Sequence, residues 1–262
     1  MERALEQKWA PPERPAVRTS GVHRRQERPS VPAKKPLRGS FSYVPVTQDV
    51  FARNRLVAAI KTDKHREAYS VLQANVVGQM TENDWISVGV TSPATGAGKT
   101  LTAINLSIAL ATQASRDVLL LDLDLMHPSV HRYFEFEPKL GLEDCLFEGI
   151  ALSEAAFKPA IDGLAVLPVR GVTHNATQIL RSGSLRKLLG KIKKDDPERL
   201  IIVDLPPITS AVSARTYTSL VDGTLLIVED TVTKQAHLRK ALAMIGKSKL
   251  LGTVLNRTEV TA

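Results

Sequence analysis

The stretch Trp85–Thr100, WISVGVTSPATGAGKT, and the later Arg116–Leu125, RDVLLLDLDL, decide the fold of this 262-residue chain. Together they spell strand, glycine-rich loop, apolar helix, and a second strand ending in two aspartates. Gly96, Ala97 and Gly98 are small enough for their backbone N–H groups to converge on phosphate oxygens. Thr95 and Leu101 flank that cradle and complete the nucleotide-binding set. Lys99 adds a point charge for the β- and γ-phosphates, and the Thr100 hydroxyl completes Mg²⁺ coordination. The general pattern G-x-x-x-x-G-K-[ST] would put glycine where this chain has Pro93. The context is still the one the motif requires, a strand before and a helix after, so the expected ligands are ATP and Mg²⁺.

Two further constellations fit such a site. Asp122 and Asp124 are two apart at the end of an apolar strand, so both carboxylates are expected on one face. That face would be the carboxyl edge of the sheet, where open α/β folds hold ligands. One of the two carboxylates can hold Mg²⁺, directly or through water, and the other can accept a proton from an attacking hydroxyl or orient a water. Downstream, LIIVDLPP at 200–207 is an apolar strand delivering Asp204, the arrangement of a second magnesium-supporting carboxylate. Lys99, Asp122, Asp124 and Asp204 form the candidate catalytic set, with Thr100, Asp204 and one of the paired aspartates for the metal. Asn256, just after the last strand, fits either an adenine-edge reader or a turn residue. His127 and His131 have metal-ligand spacing on a helix, but Pro128 lies between them and no third ligand is evident.

Composition bounds the rest. The hydrophobic content of 43% and the length suit one α/β domain with additional sequence. No apolar run reaches the ~20 residues of a spanning helix, and no signal-peptide core opens the chain. A single cysteine, Cys145, agrees with a reducing compartment. The expected location is the cytoplasm. The net charge of +8 is concentrated in residues 1–45, where ten basic and four acidic side chains leave +6. Seven of the fifteen prolines also fall there. Residues 1–50 therefore read as a disordered, basic, proline-rich arm and 51–262 as the nucleotide-binding domain, with order beginning between Val50 and Lys64. The arm suits contact with anionic lipid heads at the inner face of a membrane or with nucleic acid, or equally a solubilising leader. The domain itself is close to neutral, which makes nucleic acid a poor partner.

Helical spacing from His65 to Met80 comes first. Strands then follow at Trp85–Thr91, Val118–Asp122, Leu164–Leu167, Leu200–Asp204, Gly223–Val228 and Leu250–Leu255. Helices are expected at about Lys99–Ala114, Thr177–Lys193, Val212–Leu220 and Thr233–Ile245, with an irregular, partly helical stretch from His127 to Lys158. Short, continuously apolar strands alternating with helices specify a doubly wound, mostly parallel sheet of the P-loop NTPase type.

The chain resembles the bacterial tyrosine kinases of capsule and exopolysaccharide synthesis, a branch of the deviant-Walker ATPases. The resemblance rests on EAYSVLQANV (67–76), TSPATGAGKT (91–100), VLLLDLDLMHPSVHRYF (118–134), GLEDCLFEG (141–149), LIIVDLPP (200–207), LVDGTLLIVE (220–229) and LGTVLNR (251–257). It implies that Lys99 and Thr100 bind phosphates and Mg²⁺, that Asp122 and Asp204 support the metal, and that Asp124 is the base for a tyrosine hydroxyl. It also implies a partner, the cytoplasmic segment of a membrane-embedded polysaccharide chain-length regulator. Partitioning-type relatives carry a lysine at the position of Ala94.

Three departures from the family pattern stand out. The helix that joins family members into a ring usually reads Glu-x-x-Arg-x-x-Arg, where this chain has Glu67, Ser70 and Gln73. Met126 and His127 stand where arginines usually follow the second Walker strand. The tyrosine-rich C-terminal tail is missing, leaving Tyr43, Tyr69, Tyr133 and Tyr217. Three functions therefore remain open: a tyrosine kinase, a kinase-inactive ATP switch of the polysaccharide machinery, and a partitioning-type ATPase.

Overall fold

The computed structural model describes residues 41–114, 116–171, 179, 183–209, 214–246 and 249–258, with the backbone alone for 214 and 215. Eight strands form one sheet: β1 (Ser42–Val44), β2 (Ser87–Thr91), β3 (Val118–Asp122), β4 (Phe157–Pro159), β5 (Leu164–Leu167), β6 (Leu200–Asp204), β7 (Gly223–Glu229) and β8 (Leu250–Asn256). Their spatial order is β1-β4-β5-β3-β6-β2-β7-β8. Every pairing is parallel except that of β4 with β5. The helices are α1 (Gln48–Arg53), α2 (Arg66–Glu82), α3 (Lys99–Gln113), α4 (Val130–Tyr133), α5 (Leu142–Phe147), α6 (Leu152–Ala155), α7 (Ser184–Asp195), α8 (Ala214–Ser219) and α9 (Gln235–Ile245).

Strand side chains alternate between two cores, as a pleated strand requires. Val118, Leu120, Ile202 and Val88 join the core beneath α2 and α3. Leu119, Leu121, Ile201 and Val203 join the opposite core beneath α5 and α7. With both faces covered, β5 is apolar throughout and β3 and β6 are apolar up to their closing aspartates, which is why these runs carry no polar alternation. Helix α3 is buried along most of its length, including the polar Asn105. The Asn105 amide is spent locally: it donates to Arg55 O (3.1 Å) and Leu101 O (3.0 Å) and accepts from Ala58 N (2.9 Å). That one side chain fastens the segment before α2 onto α3.

Order begins earlier than the sequence suggests. β1 and the first residues of α1 fall within the 1–50 segment read as an arm, and Phe51, Leu56 and Ala58 are buried in the same core as α3. The three residues of β1 are too few to show periodicity, and the strand is held by parallel pairing with β4, itself absent from the sequence expectation. The arm's first forty residues, and with them the expected membrane contact, lie outside the described residues, as does part of the expected 177–193 helix.

Strand order and register position the site. β6 lies between β3 and β2, and its register sets Asp204 opposite Asp122 on one side and Val90 on the other. The carboxyl end of β2 runs directly into the glycine-rich loop. Two aspartates and the loop thus meet at one edge of the sheet, beside the point where the chain order reverses.

Candidate functional site

Loop 92–98 is shaped by its glycines. Gly96 and Gly98 have φ of +87° and +88°, a left-handed backbone that glycine adopts without penalty. Gly98 caps α3, whose first turn holds no acidic residue, so the positive end of the helix is left for an anion. Thr95 and Gly96 are exposed and Ala97 is buried. The Leu101 side chain packs on the core beneath the helix, so toward a ligand it can offer only its backbone N–H. The loop is strapped to the exit of β6: Thr91 Oγ1 donates to Pro206 O (2.7 Å), Ile208 N to Ser92 O (2.9 Å), and the Thr209 hydroxyl to Pro93 O.

Lys99, Thr100, Asp124 and Asp204 form one cluster. Lys99 Nζ lies 2.9 Å from Asp124 Oδ2 and 3.3 Å from Asp204 Oδ1. Thr100 Oγ1 donates to Asp204 Oδ2 at 2.7 Å. Burial disfavours the charge on Lys99, but Asp204 and Asp124 outweigh it and hold its pKa above the usual lysine value. Asp204 is fully buried, and that burial pushes its carboxyl up in spite of Lys99 and Thr100. A buried carboxylate beside a threonine hydroxyl, one lysine its counter-charge, is the oxygen-donor set a hard divalent cation takes. Thr100 and Asp204 therefore fit Mg²⁺.

Asp122 is differently engaged. Its Oδ1 accepts from Asp124 N (3.0 Å), and its Oδ2 accepts from Ser129 N (2.9 Å) and Val130 N (3.1 Å). It thereby caps α4 and shapes the turn that carries Asp124. Burial and the neighbouring Asp204 raise its pKa to about 7, against those three N–H donors. The expectation that Asp122 and Asp124 share a face through strand alternation fails, because β3 ends at Asp122. Asp124 is brought round by a turn closed by His127 N to Asp124 O (3.0 Å). Both still face the lysine, Asp124 by contact and Asp122 through its field.

Two further candidates have definite places in the structure. The Asn256 amide, expected at an adenine edge or in a turn, donates to Ala97 O at 2.8 Å and so belongs to the phosphate loop. That contact was invisible to local pattern, since it joins residues 159 apart. The His127/His131 pair does not converge: the His127 side chain is 79% exposed while His131 is buried. Among the described residues no group of three or more His, Cys, Asp or Glu could hold a metal ion. A separate groove of about 750 Å³, lined in part by Cys145, Ile150 and Leu188, lies between α5, α6 and α7 and includes no residue of this cluster.

The family model ParA, described as NUBPL iron-transfer P-loop NTPase, matches residues 86–261. The tyrosine-protein kinase YwqD of Bacillus subtilis is 29% identical over 206 residues, covering 78% of this chain and 86% of its own length. The succinoglycan biosynthesis transport protein ExoP of Rhizobium meliloti is 27% identical over 183 residues, 66% of this chain but 22% of ExoP. The crystal structure of the chimerical protein CapA2B2 has the same fold, with a TM-score of 0.70 at 24% identity, covering 85% of this chain and 94% of that one. The chain belongs to the ParA family of P-loop NTPases, and the relatives it matches include proteins named as bacterial tyrosine-protein kinases.

Proposed function

We propose that this protein is a Mg²⁺- and ATP-dependent tyrosine kinase acting in exopolysaccharide or capsule synthesis or export. The observation that carries the reading is Asp124 Oδ2 at 2.9 Å from Lys99 Nζ, beside the Thr100–Asp204 pair. It puts a carboxylate able to take a proton next to the cation that would hold the γ-phosphate.

The backbone N–H groups of Gly96, Ala97 and Gly98 and the start of α3 bind the phosphate chain of ATP. Lys99 turns from the aspartates to the β- and γ-phosphates and stabilises charge developing on the transferred group. Thr100 and Asp204 hold Mg²⁺, which supplies further neutralisation of phosphate charge when bound. Asp124 accepts the proton of the tyrosine hydroxyl as that oxygen bonds to the γ-phosphorus. The bond from the γ-phosphorus to the bridging oxygen breaks, and ADP leaves with the electron pair.

No helix among the described residues is long and apolar enough to cross a membrane. The reading accordingly includes a cytoplasmic location and a membrane-embedded chain-length regulator as partner. A nucleotide switch without phosphoryl transfer is the second reading. It is favoured by α2, where Ser70 and Gln73 replace the arginines of the family pattern and Ser70 Oγ donates back to Arg66 O (3.1 Å). Mass spectrometry after incubation with Mg-ATP and the partner's cytoplasmic segment separates the two. Phosphotyrosine that disappears in Lys99→Ala supports the kinase, while ATP binding without phosphotyrosine supports the switch.

A further inference from the structure

A phosphate cradle depends on how its peptide planes are turned, and one side chain controls the turn here. Asn256 closes β8, the outermost strand, and its main chain is fixed there: Asp230 N donates to Asn256 O at 3.0 Å. Its side chain reaches over the end of β7 to Ala97, where Nδ2 donates to the carbonyl at 2.8 Å. The acceptor is a carbonyl, so only the amino side of the amide can face it. The contact is close: a Cβ built on Gly98 would fall 2.3 Å from Asn256 Nδ2.

The carbonyl of Ala97 and the N–H of Gly98 belong to one peptide unit. In a planar trans peptide the two point in opposite directions. Drawing the Ala97 oxygen toward Asn256 therefore aims the Gly98 N–H the other way. If that peptide flipped, the cradle would lose a donor and present a carbonyl dipole to an anion.

We propose that Asn256 is a positioning residue for the phosphate loop, setting the Ala97–Gly98 peptide and through it the affinity for a phosphate chain whatever base is attached. The inference rests on the nucleotide-binding reading of the same site. It is tested by calorimetric titration of the full chain with Mg-ATP, Mg-GTP and inorganic tripolyphosphate, comparing wild type with Asn256→Ala and Asn256→Asp. The alanine variant should weaken all three by a common factor of about ten, the loss of one oriented hydrogen bond. The aspartate variant should weaken them further, because its carboxylate cannot donate to Ala97 O and repels it. The thermal midpoint should fall by no more than the few degrees that one lost hydrogen bond accounts for, since a folding defect would move it much further. A loss confined to one nucleotide, with tripolyphosphate unaffected, would make Asn256 a base reader and overturn the proposal, as would unchanged binding of all three ligands. Failure of wild type to bind any of them would instead overturn the nucleotide-binding reading, and this inference with it.

Discussion

Lys99 Nζ and Asp124 Oδ2 form a 2.9 Å ion pair in a pocket where the lysine is 11% exposed and the aspartate 5%. On the proposed function, the cation that would hold phosphate is thus already committed, and a nucleotide must compete for it. Replacing Asp124 by Asn removes one competitor without changing side-chain volume. Asp124→Asn should therefore bind ATP as tightly as wild type or up to about tenfold more tightly, the scale of one partly screened charge contact. The same variant should make no phosphotyrosine, while Lys99→Met should lose both properties. Fluorescent-nucleotide titration and anti-phosphotyrosine blotting read the two effects. Phosphotyrosine at the wild-type level in Asp124→Asn would remove Asp124 from the role of base.

Asp222, at the start of β7, ties three elements together away from the site. Its carboxylate accepts from Ile86 N (3.2 Å), Ser87 N (3.0 Å), Ser87 Oγ (2.8 Å) and Lys193 Nζ (2.7 Å). Burial alone would raise its pKa, but the hydrogen bonds of Lys193 and Ser87 overcome that and lower it from 3.8. A depressed carboxyl contributes stability that is fully present above the unfolded pKa and is lost as pH falls through the folded value. Wild type should lose stability below pH ~4 more steeply than Asp222→Asn. At neutral pH the variant should already be weaker by about 2 kcal/mol. Denaturant melts at intervals from pH 7 to 2.5 test this, and parallel curves for the two proteins would refute it.

The central architecture was legible because its physics is local. β3, β5 and β6 match the apolar runs at Val118–Asp122, Leu164–Leu167 and Leu200–Asp204, since burial on both faces leaves no polar residue inside each run. The phosphate loop was legible because glycines with φ near +90° leave a signature in residue type. What escaped depends on partners distant in sequence. β1 and β4 are three-residue strands defined by each other. The place of Asp124 comes from a turn shaped by Asp122, not from strand alternation. Asn256 was noticed, but its partner Ala97 follows from sheet order alone.

Cys145 is the chain's one cysteine, so its chemistry can be read without interference. Burial, then the neighbouring Asp144 and Glu143 carboxylates, raise its thiol to about 11. The thiolate is the nucleophile, so alkylation tracks its ionised fraction. The rate with iodoacetamide should still climb about tenfold per pH unit between pH 9 and 10.5, where an ordinary cysteine, with pKa ≈ 8.5, has levelled off. Mass spectrometry of the carbamidomethyl adduct gives the rates. A plateau by pH 9 would show that neither burial nor those carboxylates govern this thiol.

If the chain phosphorylates itself, the acceptor should be Tyr43. Only four tyrosines are present, and burial raises the phenol pKa of three of them, Tyr69, Tyr133 and Tyr217. Tyr43 is 68% exposed on β1. In the order β1-β4-β5-β3 it stands three strand spacings from the strand that leads to Asp124. Three spacings are roughly 14 Å, farther than a tyrosine side chain extends, so the acceptor must come from a second copy. Phosphorylation should therefore slow on dilution, map to Tyr43 by peptide mass spectrometry, and vanish in Tyr43→Phe. A rate per molecule independent of concentration would exclude transfer between copies. Phosphate on Tyr217 of the folded protein would mean that a side chain only 7% exposed had first left the core, and that the kinase reaches its acceptor through local unfolding.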